Sequence, residues 1–459
     1  MRSKLRTAAL VAFCAAASLA ASQCGPSRSS QPADEAPTPG RLEAHAWTPQ
    51  SSPDSIAAWV LAGCRGRADK GDCVEKALIS TIGPAGVDKS MAALLIVAAK
   101  DEDISRDGHV YAHGIGIAAY TSPETVGDAF GRCTTDFQSG CYHGVIQGYF
   151  ADDAGGTGGV TAEKLNALCA PYRSPDKRWL DFQCAHGAGH GLMAVNAHHL
   201  LKSLDACDLL ADHFEKQGCW GGAFMENVVN ATNPHHTAVT QTAGHEHGGG
   251  HHGEAAPAQA AAHGEHGAGH GDHGGAGHGA TASADAEPFK ALDKNEPLYP
   301  CNVVKEHHRQ QCYLMQTSAI LFHSNGDFAD ASRQCGRAPE AMRQTCFQSL
   351  GRDANSWAGG SHERAIRYCG TAPEESQAYC IVGVVKNIVD VTAVATDGLE
   401  FCKQVPGHTK PACYRAVGQQ IALLRPAHAA RERECAAAES GYLTECRFGA
   451  GLGLLRTEE

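Results

Sequence analysis

The sequence predicts an all-α protein: a right-handed solenoid of helix hairpins, each stapled by a local disulfide, with a disordered His-rich insert. Three observations carry that expectation. Eighteen of the 20 cysteines form close couples: Cys64 with Cys73, Cys133 with Cys141, Cys169 with Cys184, Cys207 with Cys219, Cys301 with Cys312, Cys335 with Cys346, Cys369 with Cys380, Cys402 with Cys413 and Cys435 with Cys446. The last five couples each span 11 positions and their first members recur every 34, 34, 33 and 33 residues, the length of a two-helix repeat. Finally, 52 glycines against 6% aromatics suit helices packed closely on small residues better than a sheet.

In chain order, Arg2, Lys4 and Arg6 precede an apolar run from Ala8 to Ala21 that is too short to span a bilayer. This reads as a secretory signal within residues 1–24. The context AASQC at Cys24 resembles a bacterial lipoprotein box, although Gln23 departs from the small residue expected there. Once Cys14 leaves with the signal, Cys24 is the cysteine outside the couples, which favours lipidation there over plain secretion. Residues 25–47, rich in Pro, Ser and Ala, read as a flexible tether.

N-terminal repeats are expected over 48–233. Within them Ile56 to Cys64, Cys73 to Ile82, Val87 to Lys100 and His109 to Tyr120 read as helices, the third apolar enough to be buried. A segment at 234–290 holds 11 of the 26 histidines amid Gly and Ala and cannot make a core. It is either low-complexity filler or a flexible trap for Zn, Ni or Cu.

C-terminal repeats fill 291–459, and one of them shows the logic. Ser361 caps a short helix ending near Cys369, Gly370 to Ala372 turn the chain, and Pro373 opens a longer helix with Glu374 and Glu375 in its first turn. Cys380 then faces back to the end of the short helix, so each couple staples one hairpin. A closed loop of this size contributes roughly 2 to 3 kcal/mol. Thiolate metal sites are the alternative; the lack of any CxxC and the export signal favour disulfides.

Chemistry concentrates in three His-Gly copies. His109 and His113 share one helix face, as do His186 and His190, and His143 has Gln147 in the matching place. Imidazoles paired in this way clasp a metal ion, and stacked repeats would bring His113, His143 and His186 to equivalent places. Three in line would need the array to curve. The glycines that follow, Gly114, Gly144 and Gly187, cost about 0.8 to 1 kcal/mol each against Ala, so a close helix or ligand must need the missing side chain. The alternatives are histidines that only bond neighbouring carbonyls, and acid-base catalysis without metal. Glu226 is a candidate fourth ligand or general base, or else an ion-paired residue; His307 and His308 are weaker candidates. No HExxH, GxSxG, P-loop, dinucleotide fingerprint or CxxCH is present.

The motifs CYHGVIQGY (141–149), CAHGAGHGLM (184–193), CWGGAFMEN (219–227) and PLYPCN with CYLMQTS (297–318) resemble a family of exported, cysteine-rich bacterial proteins. The resemblance covers about residues 105–320 and implies export, but it transfers no activity. The family pattern sets a cysteine before the first histidine, where this chain has Gly108. The C-terminal couples look like Sel1-like arrays without their sequence signature.

The expected function is therefore an exported helical-repeat protein that binds a transition metal, Zn or Cu, through His109, His113, His143, His186 and His190. A repeat scaffold for a protein or glycan partner is the second hypothesis. A metal-dependent hydrolase or oxidase with Glu226 as base is the third. A net charge of -12 disfavours nucleic acid, and membrane contact is expected only through a lipid anchor at Cys24.

Overall fold

The computed structural model describes residues 47–154, 160–232 and 289–453. The signal and lipoprotein cysteine, almost all of the tether, and the His-rich insert as far as residue 288 lie outside the described residues. All regular structure among the described residues is helical, with no strand.

The N-terminal helices are α1 (Pro53–Cys64), α2 (Lys70–Ala85), α3 (Val87–Ala98), α4 (Glu102–Arg106), α5 (Gly108–Ala119), α6 (Val126–Gly131), α7 (Asp136–Ala154), α8 (Ala162–Cys169), α9 (Arg178–Val195), α10 (Leu200–Cys207) and α11 (His213–Thr232). After the insert come α12 (Arg309–Tyr313), α13 (Gln316–His323), α14 (Phe328–Gly336), α15 (Glu340–Ala358), α16 (His362–Cys369), α17 (Glu374–Thr392), α18 (Ala395–Gln404), α19 (Lys410–Leu424), α20 (His428–Cys435) and α21 (Leu443–Gly449). The apolar run after Val87 is a core helix, with Met91, Leu94 and Val97 fully buried, though Leu95 faces outward.

All nine couples are disulfides, with Cα atoms 5.4 to 5.7 Å apart. The repeat around Cys369 shows how sequence becomes hairpin. The Ser361 hydroxyl accepts from Arg364 N–H at 3.3 Å and starts α16. Pro373 stands one place earlier than a first-turn proline, as the N-cap of α17. Its carbonyl accepts from Ser376 and Gln377, so the residue without an N–H serves as the first acceptor of the ladder.

Long helices pack in succession, α5 on α7, α7 on α9, α9 on α11, then α15 on α17, α17 on α19 and α19 on α21. Helices α12 and α13 bridge α11 to α15. The array also curls back on itself, because α17 touches α7 and α19 touches α9. One contiguous apolar cluster, from Ile56 to Leu452, runs through both sets of repeats.

A carboxyl pair joins α9 to α11. Arg173 donates to the fully buried Glu215 through Nε and, at 2.8 Å, through Nη2, and burial together with the neighbouring Glu215 charge pushes Asp181 up to about 7. The folded chain therefore keeps a proton on Asp181 between about pH 4 and 7 that the unfolded chain has lost, so stability falls as pH rises through that window. Asp181→Asn is expected to raise the melting temperature at pH 8 and to change it little at pH 4. Equal shifts at both pH values would mean that the proton is not held there.

Candidate metal centre

Helices α5, α7 and α9 carry the histidines, and their close approach is set by glycine. A Cβ on Gly144 would stand 2.1 Å from the His113 carbonyl oxygen, and one on Gly116 would stand 2.1 Å from that of Cys141. The two backbones touch at this crossing, so neither residue tolerates a side chain. Gly114 has a different neighbour: its missing Cβ leaves room for the buried Glu75 carboxylate.

Helices α5 and α9 both pack on α7, and their histidine rings meet beside it. Ring centroids of His109 and His113 are 4.6 Å apart, those of His113 and His190 4.7 Å, and His143 stacks on His190 at 5.2 Å and 14°. One ring nitrogen from each of His109, His113, His143 and His190 lies within 4.8 Å of the other three. Three of these rings are at most 2% exposed, and His109 is half-buried at the edge.

The opposite nitrogen of each ring is tied down. His109 Nδ1 donates to the Phe137 carbonyl at 2.7 Å, His113 Nδ1 to Gln147 Oε1 at 3.3 Å, His143 Nε2 to Gln183 Oε1 at 2.9 Å and His190 Nδ1 to Glu226 Oε2 at 2.8 Å. Each bond fixes the tautomer and leaves the lone pair on the other nitrogen. For His143 Nδ1 and His190 Nε2 that other nitrogen is buried and has no hydrogen-bond partner. Burial, then the neighbouring imidazoles, holds His143 well below the usual histidine range, so it is neutral at pH 7 and able to donate its lone pair.

The Phe137 carbonyl owes its place to an unusual backbone. Phe137, Gln138 and Ser139 all have left-handed φ of 54°, 54° and 63°, at a cost of roughly 1 to 2 kcal/mol per residue. The Cys133–Cys141 disulfide closes this short segment, the smallest sequence separation of the nine. The Phe137 ring meanwhile covers Gly108, where an added Cβ would lie 2.3 Å from it. The position before His109 therefore has no space for a cysteine.

His186 stands outside the group of four. It lies one helical turn, roughly 6 Å, before His190 on α9, and its ring rests on His143 at 4.7 Å and Phe182 at 5.7 Å. It is 7% exposed, and neither ring nitrogen makes a well-formed hydrogen bond. Gln147 and Glu226 orient histidines rather than joining the group. Glu226, fully buried, also takes a longer bond of 3.4 Å from His198 on the far side. His307 and His308 lie elsewhere, against Asp208.

Comparison with protein-family models, curated proteins and solved structures finds no match to this chain. The site therefore has to be read from its own chemistry. Four imidazoles, each with one nitrogen held by an outer acceptor, form a set of nitrogen donors, and the cluster is able to hold a metal ion. Gln183 and the Phe137 carbonyl are missing from the sequence reading. Gln183 left one signal there: it is three residues before His186, on the same face of α9.

No helix among the described residues is long and apolar enough to cross a membrane. Nine disulfides fit an oxidising, exported environment.

Proposed function

We propose that this chain is an exported metal-binding protein whose His109, His113, His143 and His190 hold one divalent transition ion, Zn(II) or Cu(II). The observation that carries the reading is the pairing of each imidazole with its own outer acceptor while one nitrogen of each turns towards the other three. A histidine that merely packs needs only one such bond, and burying two unpartnered nitrogens costs about 1 to 3 kcal/mol each. An ion removes that cost. It would supply positive charge and, if copper, a one-electron couple.

The binding reading is favoured over hydrolysis because four imidazoles would supply all four protein ligands of a closed site, and Glu226 is committed to His190 and His198. Export to the cell envelope, with a lipid at Cys24, and ion gathering by the insert belong to the same proposal. Metal analysis tests it on protein whose insert histidines, His235 to His278, are changed to serine. About one equivalent of Zn or Cu should survive dialysis. Retention well below one equivalent would reject the centre.

A further inference from the structure

A second set of ligating groups meets where the residues before the insert join those after it. Asp208 follows α10 as its C-cap, and His307 and His308 sit in the 3-10 turn Glu306–His308 that leads into α12. One ligand atom from each of the three lies within 4.8 Å of the other two. His308 Nε2 donates to Asp208 Oδ1 at 2.9 Å, and His307 Nε2 to Oδ2 at 3.3 Å. The two imidazoles, from adjacent residues, have centroids 4.1 Å apart.

The surroundings hold this arrangement in place and leave one side open. Trp220 packs on both rings, at 5.4 and 5.0 Å, and its Nε1 donates to Asp208 Oδ1 at 3.0 Å. His308 is 1% exposed whereas His307 is 50% exposed, so solvent reaches the cluster from the His307 side. Burial lowers His308, and Asp208 opposes that shift only in part, which keeps a neutral ring on the inner side. The nearest cation is Lys305, whose Nζ pairs with Asp205 at 2.6 Å and stands 3.5 Å from Asp208 Oδ2.

We propose that Asp208, His307 and His308 form a second, solvent-accessible site for a divalent transition ion, one that clasps the N-terminal repeats to the C-terminal ones. Two imidazoles and a carboxylate on one face, with water at the remaining positions, is a donor set that such ions accept. Both histidines bond to the carboxylate through Nε2. Binding would therefore turn the Nε2 lone pairs onto the ion, each ring carrying its N–H at Nδ1 instead. Lys305 remains with Asp205. The clasp reaches across about a hundred residues of chain, from Asp208 to His308, and ties the turn after the insert to the Cys207–Cys219 hairpin.

Trp220 supplies the readout, because paramagnetic Ni(II) in contact with its ring partners quenches its fluorescence. Ni(II) titrated into the full chain should quench a saturable component that Trp220→Phe removes. Asp208→Asn keeps an acceptor for the indole N–H, and His307→Gln alters a half-exposed side chain; each should raise the midpoint at least about tenfold, since even outer-sphere losses weaken metal sites that much. The double variant His143→Gln/His190→Gln should keep the quench at its wild-type midpoint. That result separates this site from the buried centre, whose failure would leave the quench intact. An unchanged midpoint in both Asp208→Asn and His307→Gln, or quenching that never saturates, would show a hydrogen-bonded latch without an ion and overturn the proposal.

Discussion

Changing His143 and His190 together to glutamine should abolish metal binding at the buried centre while leaving the metal-free fold close to its wild-type stability. Each of these two residues contributes to the group of four a ring nitrogen that is buried without a partner. Structural zinc sites bind with roughly 10 to 16 kcal/mol over four ligands, so each imidazole carries about 3 kcal/mol, or roughly a hundredfold in affinity. Losing both should weaken binding about ten-thousandfold. Metal at a thousand times its dissociation constant stabilises the folded chain by about 4 kcal/mol. Denaturant unfolding, in the background without insert histidines and with Asp208→Asn, should show that gain for the wild-type centre and none for the double variant.

The same experiment separates the metal reading from the scaffold reading. Histidines that only fill space would leave cavities when shortened, at a cost of about 2 to 5 kcal/mol for a large buried side chain, whether or not metal is present. In a metal site the apo protein already carries the cost of orphaned lone pairs, and glutamine relieves part of it. A large loss of stability in chelator, with no metal-dependent difference between the two proteins, would sink the metal reading and favour the scaffold.

Much of the architecture was legible because it is written at fixed spacing. Cysteines 11 apart at a period of 33 or 34 define a hairpin and its staple without any knowledge of packing. Histidines four apart define a shared helix face just as locally, and His109 with His113 illustrates this. Curvature is not local. It depends on how closely each pair of helices approaches, and Gly116 against Gly144 sets that distance through a contact between distant parts of the chain. His186 illustrates the consequence: equivalent to His143 in the repeat, it lies outside the group of four once the array bends. The Phe137 carbonyl was out of reach for another reason. Any residue type has a carbonyl, so only the left-handed backbone at 137–139 reveals where it points. Glu226 sits about 100° out of register with His190, yet a glutamate side chain is long enough to make up that offset across two helices.

Glu226 leads to the second large effect. Its carboxylate is fully buried, 2.8 Å from His190 Nδ1 and 3.4 Å from His198 Nε2. Four neutral imidazoles leave a bound dication with its whole charge, and a buried carboxylate one ring away offsets part of it through the low-dielectric interior. Glu226→Gln retains an oxygen acceptor for His190 and nearly the same volume, so it removes charge while keeping shape. Metal affinity should fall by about 10- to 100-fold, the range for outer-sphere partners of ligating histidines. The metal-free protein should melt within a few degrees of wild type, because a buried charge is itself costly and its loss offsets the weaker bond to His190. Competition with a chromophoric chelator measures the first effect and thermal melting in chelator the second. Unchanged affinity with a large drop in melting temperature would make Glu226 a structural partner of His190 and His198, with no part in holding the ion.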